Sequence, residues 1–204
     1  MLLTPSSPQL KPVPLGRLSR SPDVSGAKRR ARTEVLALSK IEPLAGRHRL
    51  GAFSCGKPQL DAWLTAFARS NHHLKFTRAF VVCDSDTVIG YYGLAPTVVV
   101  PNLVNRTKLM SEAPVQIPCL MIGQLAVDQR YRGQGLGTAL VRDAFRRSLA
   151  GSDLVGASAL VVRAIDEDTQ LFWQSWGFKA SQVNLSILVR SLSDIRTWLR
   201  DYSL

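Results

Sequence analysis

The sequence predicts an α+β domain built around a mixed, mostly antiparallel central sheet with flanking helices. Strand-like segments dominate the middle of the chain, and helical segments are interleaved with them. No internal repeat is present, and no apolar run reaches the ~18 residues of a membrane-spanning helix. With 204 residues, of which 46% are hydrophobic, the chain is long enough for one domain with a sizeable core, plus a tail.

The beginning of the chain differs in composition from the rest. Residues 1–33 hold seven lysines and arginines but one acidic residue, so they carry +6 of the net charge of +11. Five prolines among serines leave no apolar period there. This composition predicts a disordered basic tail over residues 1–34 and one folded domain over residues 35–204. We find neither an organellar nor a secretory targeting signal, and we expect a cytoplasmic protein with no membrane contact.

The first predicted elements of the domain are a strand, a helix and a hairpin. Residues 35–38 suit a first strand. Lys57 and Pro58 open a helix with proline in its first turn. One apolar face of this helix consists of Leu60, Trp63, Leu64 and Phe67. Residues 79–83 and 88–94 predict two strands, because an aspartate-rich turn separates two apolar runs.

The later elements alternate between strands and helices. Residues 101–118 show no clear period and predict a loop. The elements that follow are a strand over 120–127, a helix beginning near 136, a strand over 159–164, a helix over 168–176 and a strand over 185–190. The helix that begins near 136 places its apolar residues, Leu136, Leu140, Ala144 and Leu149, apart from Arg142 and Arg146.

The cysteines and histidines predict no metal site. Cys55, Cys83 and Cys119 are odd in number and widely spaced, which favours three small reduced hydrophobic side chains. The histidines, His48, His72 and His73, also lack metal or triad spacing and are expected to be exposed or to cap backbone groups.

The most informative segment joins the strand 120–127 to the helix near 136. It reads Arg130-Tyr131-Arg132-Gly133-Gln134-Gly135-Leu136-Gly137-Thr138. Three glycines in five residues let the backbone turn tightly with its N–H groups pointing at one place. At a helix N-terminus, where the dipole favours negative charge, such a turn is an anion cradle. The spacing matches neither a dinucleotide fingerprint nor a P-loop.

The order of strand, arginine-rich turn, Gly-x-Gly and helix resembles the acyl-CoA signature of GNAT-type N-acetyltransferases. Their pattern, Gln/Arg-x-x-Gly-x-Gly/Ala, is met by Arg132, Gly135 and Gly137. Other segments resemble one branch of that family, the acetyltransferase toxins of bacterial toxin–antitoxin pairs. These segments are Phe53-Ser54-Cys55-Gly56, Leu60-Asp61-Ala62-Trp63-Leu64, Gly90-Tyr91-Tyr92-Gly93-Leu94 and Leu125-Ala126-Val127-Asp128. The resemblance covers about residues 35–200.

The resemblance implies the GNAT fold, in which acetyl-CoA binds between two parallel strands that splay into a V. These strands would be residues 120–127 and 159–164. The backbone of Leu125, Ala126 and Val127 would pair with the pantetheine arm, and an N–H freed by a bulge could polarise the thioester carbonyl. The pyrophosphate would be held by N–H groups of Gly133, Gln134, Gly135, Leu136, Gly137 and Thr138, with Arg130 or Arg132 adding charge.

The resemblance also identifies a catalytic position. The branch places a tyrosine after phenylalanine in the helix before Gly-Phe, where it is interpreted as the general acid for the CoA thiolate. This chain reads Phe172-Trp173 at that point, so Trp173 occupies the position. An indole N–H can donate a hydrogen bond but is not a useful acid near neutral pH. No nucleophile motif is present, which agrees with direct attack by the acceptor amine.

The toxin branch acetylates the α-amino group of aminoacyl-tRNA and thereby blocks translation. An α-amino group has a pKa near ~8, against ~10.4 for lysine, so it loses its proton more readily. tRNA phosphates would be neutralised by basic residues outside the tail. These are Lys75, Arg78, Arg106, Lys108, Arg142, Arg146, Arg147 and Lys179.

Partners and alternatives follow from the same resemblance. A ribbon–helix–helix-type antitoxin is an expected partner, and a homodimer is left open. One alternative function is acetylation of a small amine or a protein N-terminus. Another is a catalytically silent CoA-binding partner of an antitoxin, which Trp173 keeps open.

Overall fold

The computed structural model describes residues 38–100 and 115–201. The predicted tail over residues 1–34 lies outside the described residues, as does most of the strand predicted over 35–38. Of the predicted loop over 101–118, only the last four residues are described. Two of these, Ile117 and Pro118, belong to a strand, so the loop prediction is wrong at its end.

Within the described residues, seven strands form one mixed sheet. They are β1 (Glu42–Pro43), β2 (Arg78–Asp84), β3 (Thr87–Val99), β4 (Ile117–Val127), β5 (Ala159–Arg163), β6 (Lys179–Ala180) and β7 (Ile187–Ser191). Their order across the sheet is β1-β2-β3-β4-β5-β7-β6. Only β4 and β5 are parallel neighbours among them. The predicted α+β class with a mostly antiparallel sheet is therefore confirmed.

Helices cover both faces of this sheet. They are α1 (Pro58–Ala62), α2 (Ala68–His73), α3 (Leu136–Val155), α4 (Glu167–Ser175) and α5 (Leu192–Asp201). Tyr91 packs into the core beneath α1 and α2, whereas its neighbour Tyr92 packs into the core beneath α3, α4 and α5. This alternation follows from the period of two along a strand. No described helix is long and apolar enough to cross a membrane.

The apolar face predicted for the first helix is only partly correct. Leu64 is buried, but Phe67 is 55% exposed. The cause is a π-helical stretch, Trp63–Phe67, between α1 and α2. One extra residue in that turn rotates the following side chains, so Ala68 is buried in place of Phe67.

The final helix, α5, is absent from the sequence-based prediction. Its signal is present, because Leu192, Ile195 and Leu199 follow helical spacing, and the first two are buried. The segment is short and polar elsewhere, which hides the pattern.

Two histidines cap backbone groups, as expected, but one of them is not exposed. His48 is 1% exposed, and its Nδ1 accepts the N–H of Ala45 at 3.0 Å. His72 Nδ1 accepts the N–H of Ala79 at 3.1 Å. The three cysteines are buried free thiols, as the sequence predicts.

Candidate functional site

The parallel strands β4 and β5 stop pairing with each other before β4 ends. They pair from Cys119–Ala159 to Ile122–Val162, after which β4 continues to Val127 paired with β3 but no longer with β5. The N–H of Asp128 donates to the Ile89 carbonyl of the preceding hairpin at 2.8 Å. Because backbone groups alternate along a strand, the N–H and C=O groups of Leu125 and Val127 point toward the opening, whereas those of Ala126 face β3. The end of β4 therefore has a free backbone edge.

A β-bulge lies at the point where the two strands part. Gly93 pairs with Gln124, whereas Leu94 pairs with Ile122, so Gly123 is an extra residue in β4. A bulge changes the phase of the hydrogen bonds along a strand. Here the change separates the part of β4 that pairs with β5 from the part with the free edge.

The glycine-rich turn has the backbone conformation of an anion cradle. Gly133 and Gly135 have φ of +76° and +79°, and a Cβ on either would meet open space within 4 Å. Gly135 precedes α3, and the first intrahelical bond runs from the Ala139 N–H to its carbonyl at 3.0 Å. The N–H groups of Leu136, Gly137 and Thr138 precede that bond and donate to no described residue. Three free donors thus lie at the positive end of a 20-residue helix.

The two arginines predicted for this cradle differ in their contacts. Arg130 is engaged with Asp128, through bonds of 2.9 Å from Nε and 2.8 Å from Nη2, and with the Ala52 carbonyl at 3.0 Å. Its guanidinium holds the pKa of the fully buried Asp128 carboxyl below its usual range. Arg132 is exposed and donates to the Cys55 carbonyl. Arg130 therefore fastens the end of β4, and Arg132 is the less engaged cation.

A short segment, residues 52–57, connects the ends of the two parting strands. Beside β4, the Ser54 carbonyl accepts the Gln129 N–H at 2.9 Å, and the Ser54 N–H donates to Asp128 at 3.1 Å. Beyond β5, Lys57 forms an ion pair with Asp166, the N-cap of α4. This ion pair lowers the pKa of Asp166 to about 2. Sequence reasoning missed the contact, because the two residues are 109 positions apart.

Trp173 lies in α4 and is 6% exposed. Its ring centroid is 5.0 Å from that of Phe172 and 5.3 Å from that of Phe178, both in edge-on geometry. The position that the sequence predicts for a general acid is therefore filled by an indole packed among aromatic rings.

The predicted basic residues fall into two groups. Lys75, Arg78, Arg146 and Lys179 are exposed and have no ion-pair partner within 38–100 and 115–201. Arg147 instead pairs with Asp143 at 2.8 Å, and Arg142 lies over the Trp198 ring at 5.8 Å. Arg106 and Lys108 lie outside the described residues. In the described part of the chain, no group of three or more His, Cys, Asp or Glu residues could hold a metal ion.

Comparisons with known proteins agree with this geometry. A sequence profile of the acetyltransferase (GNAT) family matches residues 47–178. A tRNA-acetylating toxin of Mycobacterium tuberculosis (strain ATCC 25618 / H37Rv) is 32% identical over 154 residues, which cover 74% of this chain and 90% of that protein.

Solved structures extend the similarity. The structure of AtaT complexed with acetyl-methionyl-tRNAfMet has a TM-score of 0.73 and 28% identity, over 79% of this chain and 99% of that chain. A tyrosine-to-phenylalanine variant of AtaT, bound to acetyl-CoA and the C-terminus of the antitoxin AtaR, has a TM-score of 0.68 and 30% identity, over 79% and 98%. These relatives confirm the resemblance to the toxin branch. The chain belongs to the acetyltransferase (GNAT) family.

Proposed function

We propose that this protein transfers the acetyl group of acetyl-CoA to the α-amino group of aminoacyl-tRNA, and that it is a toxin that blocks translation in the cytoplasm. The open N-terminus of α3 beside the free edge of β4 is the observation that carries this proposal. The relatives support it, because AtaT has been solved with an acetylated aminoacyl-tRNA, with acetyl-CoA and with its antitoxin.

The cradle fits the diphosphate of acetyl-CoA. Gly133 and Gly135 have left-handed backbone conformations that a larger residue adopts only with strain. The space beside both glycines is open. Three free N–H groups and the dipole of α3 supply the positive potential, to which Arg132 adds a full charge. In this arrangement the backbone of Leu125 and Val127 holds the pantetheine arm as an added strand would.

Acetyl-CoA supplies an acetyl thioester, which the acceptor amine attacks directly. The Leu125 N–H, which points into the opening just beyond the bulge, donates to the thioester carbonyl oxygen, where negative charge develops. The acceptor must be neutral to attack, which favours an α-amine over a lysine at neutral pH. The buried indole of Trp173 cannot supply a proton, so we infer that water accepts the proton that the attacking nitrogen loses and protonates the released CoA thiolate.

The antitoxin is the second proposed partner. AtaT bound to the C-terminus of AtaR supports a protein antitoxin for this chain. The ribbon–helix–helix class of that antitoxin and a homodimer of this chain stay predictions from the sequence.

The proposal is tested by incubating the protein with acetyl-CoA and total charged tRNA. The aminoacyl groups released by mild base are then analysed by mass spectrometry, with deacylated tRNA as the matched control. We expect α-N-acetylated aminoacyl groups that depend on both substrates. Acetylation of small amines or protein N-termini without acetylated aminoacyl groups would overturn the proposal.

A second candidate function is favoured by one observation, the tryptophan at the general-acid position. A protein that binds acetyl-CoA in calorimetry but acetylates none of these acceptors would be a silent CoA-binding partner of an antitoxin. Losing a general acid lowers a rate by ~10²–10⁴, so single-turnover conditions are needed to separate slow turnover from none.

A further inference from the structure

A polar side chain that the proposed function has not used lies beside the opening between β4 and β5. Gln124 follows the bulge residue Gly123, at the point where β4 and β5 part. Its side chain lies on the sheet face covered by α1 and α2, because Ala126, two residues on, packs into the core of that face. The opposite face is the one that carries α3 and the cradle.

The glycine opposite this residue shows what surrounds the amide. A Cβ at Gly93 would lie 2.8 Å from Thr77 Cγ2, 3.1 Å from Gln124 Oε1 and 3.3 Å from Trp63 Cη2. The three side chains therefore converge over Gly93 on a single spot. These side chains leave no room for a Cβ at position 93 unless they move.

The Trp63 side chain, one of the three beside Gly93, is held in place by its neighbours. The Trp63 indole stacks on the Tyr91 ring, with centroids 5.6 Å apart and planes 8° apart. The Tyr91 hydroxyl in turn donates to the Leu60 carbonyl at 2.7 Å. The tip of the Trp63 ring is thus held beside the Gln124 amide by a fixed stack and a buried hydrogen bond.

The Gln124 amide has hydrogen-bonding capacity that no residue within 38–100 and 115–201 uses. It is half-buried, and neither its oxygen nor its nitrogen bonds to another described residue. Its oxygen and nitrogen therefore remain available to bond with a ligand in place of water. Its neutrality also matters, because a carboxylate in its place would hold an amine as ammonium, whereas an amide oxygen can accept an N–H from a neutral amine.

We propose that Gln124 binds and orients the acceptor α-amino group, and that Trp63 packs against the aminoacyl side chain and limits its size. This inference rests on the proposed function. Gln124 Oε1 accepts one N–H of the neutral amine, leaving the nitrogen lone pair free to attack the thioester carbonyl beside Leu125. The tip of the Trp63 indole contacts the side chain of the aminoacyl group.

Three variants test the amide. Gln124→Leu removes the hydrogen bond at similar size, and we expect kcat/KM for charged tRNA to fall ~10-fold with acetyl-CoA affinity unchanged. Gln124→Glu should shift the acidic limb of the pH profile of kcat at saturating charged tRNA upward by about one unit, because a carboxylate raises the pKa of the bound amine. Gln182→Leu, at an exposed glutamine between β6 and β7, is the matched control.

The outcomes separate the inference from the proposed function. Wild-type protein that acetylates charged tRNA, with a Gln124→Leu variant as fast and an unshifted Gln124→Glu profile, would overturn the inference alone. Wild-type protein that acetylates no aminoacyl group overturns both. A Gln124→Leu loss together with the profile shift supports the amine contact, because a merely structural role would not move the pH profile.

Trp63 is tested by selectivity rather than by rate. Trp63→Phe keeps an aromatic ring against Tyr91 but removes the Cη2 tip beside Gly93. We expect kcat/KM to rise for bulky aminoacyl groups relative to glycyl-tRNA. An unchanged ratio across glycyl-, methionyl- and phenylalanyl-tRNA in a folded variant would remove Trp63 from the proposal.

Discussion

Gly137→Glu should stabilise the fold and strongly weaken acetyl-CoA binding at the same time. Gly137 is the second residue of α3, its φ is not positive, and a Cβ there meets open space. Replacing glycine by a better helix former gains about 0.5 kcal/mol, and a carboxylate at a helix N-terminus gains a further ~0.3–1 kcal/mol. A gain of about 1 kcal/mol raises the unfolding midpoint of a chain of this size by ~2–4 °C.

The same carboxylate opposes the diphosphate. Two unit charges about 5 Å apart repel by about 2 kcal/mol at an effective dielectric constant of ~40. With two charges on the diphosphate, the affinity should fall on the order of 10²-fold or more. The introduced carboxylate also competes for the free N–H groups of the first turn, which adds to the loss.

Calorimetry with acetyl-CoA and thermal unfolding measure the two effects. Gly137→Gln is the matched control, because it adds the same bulk without the charge and should bind acetyl-CoA more tightly than the glutamate variant. Gly135→Ala provides the contrast, since its left-handed backbone makes a side chain cost ~1–2 kcal/mol and should lower the midpoint. Unchanged acetyl-CoA affinity in a folded Gly137→Glu variant would refute the cradle argument.

Three further predictions concern other parts of the chain. Trp173→Tyr should raise kcat by up to ~10²-fold with unchanged acetyl-CoA affinity. Trp173→Phe removes similar bulk without adding a hydroxyl and should not raise kcat. Equal rates in both variants would exclude a general acid at this position. Asp166→Asn should lower the unfolding midpoint at neutral pH through loss of the Lys57 ion pair. Because the pKa of Asp166 is depressed to about 2, the stability that its carboxylate contributes is present above the unfolded-state pKa of ~3.9 and is lost as pH falls toward 2. The unfolding midpoints of wild type and Asp166→Asn should therefore converge over that range. A constant difference between these midpoints would contradict this reasoning. A chain that begins at Thr33 should keep its midpoint and its acetyl-CoA affinity, and a loss of several degrees would show that the tail packs against the domain.

Local patterns account for what the sequence predicted well. Gly133 and Gly135 stand where the backbone is left-handed, a conformation that other residues rarely adopt, so the turn is visible in the sequence itself. Alternation along β3 likewise sends Tyr91 and Tyr92 to opposite faces. The resemblance to GNAT-type acetyltransferases implied a parallel pair of strands over 120–127 and 159–164, and β4 and β5 are parallel neighbours.

Longer-range packing accounts for what the sequence could not show. The π-helical stretch that exposes Phe67 begins at Trp63, whose ring stacks on that of Tyr91, 28 positions further along the chain. Arg130 and Arg132 are equally good candidates for the diphosphate from the sequence alone. In the structure the buried carboxylate of Asp128 forms hydrogen bonds with only one of these two arginines, Arg130.

The sequence by itself determined the class of fold, the glycine-rich turn before α3 and the family, because each depends on neighbouring residues and on backbone conformations that few residue types allow. Only the tertiary structure decided which groups meet at the opening between β4 and β5. Lys57 reaches Asp166, and Gln124 meets Trp63 over Gly93, because the sheet register and helix packing bring together residues far apart in the chain. Such long-range contacts produce no periodic pattern in the sequence, because each of the two residues by itself resembles an ordinary half-buried residue.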